Sequence, residues 1–116
     1  MKNFIFDEYR SCINPNRIEL GDSKFYVEIR TAFNNGKWYA AYWYWTNGRG
    51  VGDEPHLDTC DFNEEYQAIC FISIIALKHL ESEKQSVRSL DVPDNIFKEL
   101  KELRDKNKTP QLTLNF

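Results

Sequence analysis

Hydrophobic and polar positions alternate strictly through KFYVEIRTAF: Phe25, Val27 and Ile29 fall on one side, Tyr26, Glu28 and Arg30 on the other. A period of two is the signature of a half-buried β-strand. Asn34, Asn35 and Gly36 follow, residues suited to the positive φ angles of a tight hairpin, and the next run, KWYAAYWYW, reads as the returning strand. Upstream, NRIELGDSK predicts a further strand that turns into this hairpin at Gly21 and Asp22, whereas NFIFDEYRSCI fits a strand or a helical turn equally well. Downstream, the glycines and Pro55 of TNGRGVGDEP predict a loop, after which HLDTC supplies a short third strand.

The period then changes. Asn63 or Asp61 offers an N-cap and Glu64 and Glu65 place negative charge in a first helical turn, so a helix is expected over 64–82. Its apolar residues, from Ala68 through Leu80, cover more than one stripe, which places it deep against the sheet as the core helix. A second, amphipathic helix is signalled in VPDNIFKELKELRDKN, with Asp94 as its cap and Ile96, Phe97, Leu100 and Leu103 at three- and four-residue spacing. The expected fold class is therefore α+β: an antiparallel sheet of three to four strands packed on a long core helix, followed by the second helix. Residues 1–105 form one domain, and 106–116 form a linker and C-terminal peptide that Pro110 separates from the last helix.

Composition narrows the possibilities. With 116 residues, 41% of them hydrophobic and 28% charged, the chain supports one core. A net charge of -3 gives no overall attraction to nucleic acid, leaving room only for a local basic patch. The longest apolar run, AICFISIIAL, is about half of what spans a bilayer, and no targeting pattern opens the chain, so the expectation is a cytoplasmic protein with no membrane partner. Cys12, Cys60 and Cys70 are odd in number and lack metal-site spacing; they read as reduced thiols, with Cys70 in the core, and no metal or cofactor is expected. Catalysis is the least favoured class, because no nucleophile-and-base signature is present. NGRGVGDEPH lacks the ending of a phosphate-binding loop, Asp53, Glu54, His56 and Asp58 read as solvated loop charge, and His79 is assigned no role.

Two stretches carry functional information. On the aromatic strand Trp38, Ala40, Tyr42 and Tyr44 share one face, while Tyr39, Ala41, Trp43 and Trp45 share the other. One face must cover the core helix. The other, if open and flanked by Arg30, Lys37 and Arg49, has the composition of a stacking platform for single-stranded nucleic acid; the same residues also suit a packed sheet, a protein interface or a homodimer surface.

The second stretch is the ending QLTLNF, which resembles the hexapeptide form of the bacterial sliding-clamp-binding motif at all four determining positions: Gln111, Leu112, Leu114 and Phe116. The resemblance implies that Leu114 and Phe116 fill an apolar pocket on the clamp, with Leu112 supporting them and Gln111 held by hydrogen bonds. The alternation of Leu112, Leu114 and Phe116 also describes a final strand on a sheet edge, and both readings stay open. The order of elements in the body is similar to HicB-like antitoxins and to double-stranded-RNA-binding domains, and the acidic helix start suits the former better. The chain lacks the glycine-rich approach to the helix of the HicB group, and a topological likeness implies little about activity. The resulting expectation is a small accessory protein of DNA metabolism, of the kind carried by a phage or other mobile element. Its tail would engage a sliding clamp, and its domain a second partner, either single-stranded nucleic acid or protein. A protein-binding regulator, antitoxin-like or an inhibitor of host defence, and a homo-oligomeric module are the alternatives.

Overall fold

A computed structural model describes residues 2–86 and 90–109. Strands β1 (Asn16–Gly21), β2 (Phe25–Asn34), β3 (Lys37–Thr46) and β4 (Arg49–Gly52) form one antiparallel meander in the order β1-β2-β3-β4. Helices α1 (Glu65–Gln85) and α2 (Asp94–Lys106) follow. The architecture is the α+β class expected from the sequence.

Local chemistry explains each connection. Asn35 and Gly36 both have positive φ (53° and 80°), and so do Asn47 and Gly48 (52° and 76°). Two consecutive residues of this kind make a tight turn whose twist matches that of the flanking strands, so each Asn-Gly pair closes a two-residue hairpin. The second hairpin corrects the expected loop over TNGRGVGDEP, within which Arg49–Gly52 is a strand. HLDTC, by contrast, is not a strand: His56 makes only an isolated bridge to Ser11 before the chain turns. The Asp22 carboxylate accepts hydrogen bonds from the N–H groups of Lys24 and Phe25 and so holds the first turn.

Helix α1 begins with a capping box in which Glu64, rather than Asn63 or Asp61, is the N-cap and Gln67 bonds back to it, and it runs three residues past the expected end at Ser82. The Glu65 carboxylate accepts from the Thr31 hydroxyl (2.7 Å) and the Asn16 amide (3.1 Å), pinning the helix start to β1 and β2. Asp94 is the first helical residue of α2 and Pro93 occupies the cap position. There the carboxylate complements the helix dipole without capping and pairs with Lys84 at the end of α1 (3.2 Å).

Both helices lie on one face of the sheet. Phe25, Val27 and Ile29 of β2 pack with Ile72, Ala76 and Leu80 of α1 and with Ile96 and Leu100 of α2. Each large side chain removed from water here contributes about 1.5 to 3 kcal/mol. Burial on α1 is one-sided, however. Ala68, Ile69, Ile72, Ser73, Ala76, Leu77 and Leu80 are buried, whereas Cys70, expected in the core, is half-buried and Phe71 is 37% exposed. No described helix is long and apolar enough to cross a membrane.

Candidate functional site

The face of the sheet turned away from the helices carries the residues singled out in the sequence. Alternation and strand register set Tyr26, Glu28, Arg30 and Ala32 of β2 beside Trp45, Trp43, Ala41 and Tyr39 of β3, with Arg17 and Glu19 of β1 along the flank. One half of this face is closed. Ala32, Tyr39 and Ala41 are buried, and nearby the N-terminal segment is joined to the loop after β4 by the Cys12 N–H donating to the Pro55 carbonyl (2.8 Å) and the Leu57 N–H donating to the Arg10 carbonyl (3.1 Å). Burial pushes the Cys12 thiol up, so it remains protonated.

The other half is open and is built around a chain of hydrogen bonds. Tyr26 donates its hydroxyl to Glu28 (2.6 Å), Arg30 donates Nε to the other Glu28 oxygen (2.9 Å), and Arg30 Nη1 reaches the Glu54 carboxylate and, at 3.4 Å, the Asp53 carbonyl. Arg17 approaches the same Glu28 oxygen at 3.6 Å. Glu28 and Arg30 are each only 8% exposed. Burial pushes the Glu28 carboxyl up, but the hydrogen bonds from Tyr26 and Arg30 and the charges of Arg30 and Arg17 outweigh it and hold the group below its ordinary range. Tyr26 titrates well above a free tyrosine, first through burial and then through its bonds to Glu28 and Glu19.

Trp43 lies over this network. The Arg30 guanidinium sits 5.2 Å from its ring centroid, Tyr26 meets it edge-on at 6.1 Å, and its ring rests directly on Gly50, where a Cβ would come within 2.2 Å of Cζ2. Glycine opposite Trp45 is what lets the neighbouring indole lie flat. Trp45 and Tyr26 are half-buried beside it.

The three basic residues expected to flank this face do not converge on it. Arg30 is consumed by two carboxylates. Lys37 sits at the far end of β3 and donates to Asn63 (2.6 Å), while Arg49 pairs across from Thr46, on the helix side of the sheet. Trp38 is buried on the helix side against Phe33 and Phe4, and Tyr42 and Tyr44 pack there too, so of the aromatics only Trp43 and Trp45 join Tyr26 on the open half. Carboxylates of Glu19, Glu28 and Glu54 outnumber the guanidiniums of Arg17 and Arg30. Glu54 is thus no solvated loop charge: it is half-buried, and its Oε2 is buried with no hydrogen-bond partner among the described residues. The Glu28–Arg30 pair was legible as an i, i+2 pair on one strand face; Glu54, 24 residues from Arg30, had no local signal. Gln111, Leu112, Leu114 and Phe116 lie outside the described residues.

Among the described residues no group of three His, Cys, Asp or Glu side chains is arranged to hold a metal ion. Comparison with protein families, curated proteins and solved structures found no match to this chain.

Proposed function

We propose that this chain is a two-part binding protein: its terminal hexapeptide engages a bacterial sliding clamp while its α+β domain holds a second protein on the open half of the sheet. The observation that carries the reading is the match of Gln111, Leu112, Leu114 and Phe116 to all four determining positions of the clamp motif, behind a charged linker and Pro110. Linking an extended peptide to a folded domain raises the effective concentration of whatever the domain carries at the clamp. Support for a protein as the second partner comes from charge. The open face exposes indole and phenol area next to more carboxylate than guanidinium, a composition that suits a polar-rimmed protein interface and repels phosphate. This role is that of an accessory factor in DNA metabolism.

A peptide of residues 108–116 should bind a bacterial sliding clamp by calorimetry, and replacing Leu114 and Phe116 together with alanine should remove most of that binding, each anchor being worth about 1 to 3 kcal/mol. In the full chain the same double substitution should leave the melting temperature nearly unchanged. The edge-strand alternative predicts the reverse, a clear loss of stability and a peptide that ignores the clamp; that outcome overturns the proposal.

A further inference from the structure

The outer edge of β3 is interrupted. Strand β4 pairs with it only over residues 43–46, and farther along Phe62 takes both main-chain groups of Trp38, accepting from its N–H at 2.7 Å and donating to its carbonyl at 2.9 Å. Between these two points strand alternation turns the N–H and C=O of Ala40 and the N–H of Tyr42 outward. The Tyr42 carbonyl is taken by the Asp53 N–H (3.1 Å), but the Asp53 carbonyl faces Arg30 instead of returning the bond. No described residue hydrogen-bonds to the remaining three groups.

These groups open into a cavity of about 490 Å³, within the usual range for small-molecule sites. Phe71, Ile72 and Ile75 of α1 line it together with Phe62 and His56, and Phe62 packs directly against Phe71 with ring centroids 5.1 Å apart. At its rim the Tyr42 hydroxyl and His79 Nδ1 share a hydrogen bond of 2.6 Å, which ties the strand to the helix and fixes the mouth. Burial pushes the Tyr42 phenol up to about 12, with the charges of Tyr44, Asp53 and Glu83 adding to the effect, so the phenol is neutral throughout the physiological range. The slot thus has apolar walls and a polar inner edge in the plane of the sheet.

We propose that this slot binds a flat, uncharged heteroaromatic of nucleobase size that carries a hydrogen-bond donor beside an acceptor. The donor meets the Ala40 carbonyl, the acceptor meets the Tyr42 N–H, and the ring lies against Ile72 and Ile75 of α1, beside the packed Phe62–Phe71 pair. Three features select this class. The Ala40 carbonyl and the Tyr42 N–H are adjacent along one strand edge and point the same way, which matches a ring bearing both functions on one side. Only three backbone groups, on Ala40 and Tyr42, are bare, too few for an incoming strand to build a ladder. Asp53 and Glu54 line the cavity and no lysine or arginine does, so a base or nucleoside fits and a phosphorylated nucleotide is repelled.

The test is a titration of the ¹⁵N-labelled full-length protein with adenine, adenosine, AMP and purine riboside, followed by amide shifts. Adenine and adenosine should shift Ala40 and Tyr42 saturably. AMP should bind about tenfold more weakly than adenosine through its charge, and purine riboside about tenfold more weakly for want of the exocyclic amino donor. Ile75→Trp should fill the slot and abolish binding; Cys60→Trp, at the exposed rim where folding is not at stake, should weaken it at least about tenfold. The proposal is overturned if none of the four compounds gives a saturable shift at Ala40 and Tyr42, if AMP binds as well as adenosine, or if both variants bind adenine like the parent.

Discussion

The two faces of β2 are buried to nearly the same depth by opposite means. Phe25, Val27 and Ile29 are 2% exposed or less because two helices press on them, whereas Glu28 and Arg30 reach 8% by wrapping one another, Tyr26, Glu54 and the Trp43 ring. The first face needs only shape and tolerates any change of pH or salt. The second needs every partner present, because a buried charge without its counterion is far costlier than a missing methylene. One strand therefore holds a permissive interior and an exacting one, separated by the thickness of its own backbone.

The sharpest way to break this contrast is to remove a single group from each side. Ile29→Ala should cost about 2 to 5 kcal/mol by denaturant unfolding, from lost transfer energy and the cavity left behind. Arg30→Ala should cost about 3 kcal/mol, the lower end for a broken buried pair because the Glu54 side chain is 36% exposed, and here the loss arises from two stranded carboxylates. Replacing Glu28 with leucine in addition to Arg30→Met should recover the part of that loss due to Glu28, leaving only the half-exposed Glu54 without its partner. If the double change is as damaging as Arg30→Ala, the ionic face is not behaving as a charge-pair problem.

A smaller effect is expected at Gly50. An alanine there forces the Trp43 ring off its seat and should cost about 1 to 3 kcal/mol, with a change in tryptophan fluorescence as the specific readout. Smallest is the pH dependence. Because the folded-state pKa of Glu28 is depressed below its ordinary 4.5, its stabilisation is fully present above that value and is lost as pH falls through the folded pKa. Thermal melts should show stability falling on acidification below about pH 4.5, and Glu28→Gln should flatten that limb of the profile. Ile29→Ala should leave its slope unchanged.

How much of this was legible depended on whether a residue's fate was decided locally. The β2–β3 hairpin, both helices and the strand before them follow from periodicity and from Asn35-Gly36, all short-range signals. Strand β4 carried an equally good turn signal in Asn47-Gly48, but Gly50 and Gly52 supply no side chains to alternate, so glycine content hid the strand behind a loop-like composition. His56 failed to nucleate a strand because its partner, Ser11, lies in an irregular N-terminal segment shaped by an Asp7 turn that draws the N–H groups of Tyr9 and Ser11 onto one carboxylate. For the site, alternation correctly divided the aromatics between two faces. What it could not reveal was that Glu54 returns from beyond β4 to occupy Arg30, or that Ala32, Tyr39 and Ala41 on the outward face are buried.

The interrupted edge of β3 has one more consequence. KWYAAYWYW is long, rich in aromatic and β-forming residues and nearly free of charge, the composition that seeds fibrils when such a strand offers a continuous row of unpaired backbone groups to another chain. In this fold β2 occupies one side along the full length of the strand, and on the other β4, Asp53 and Phe62 take the edge piecemeal. Short, discontinuous coverage is enough: a second molecule finds no run of sites to propagate from, and a strand with strong aggregating tendency is blocked from extending its sheet by three brief contacts on its outer side.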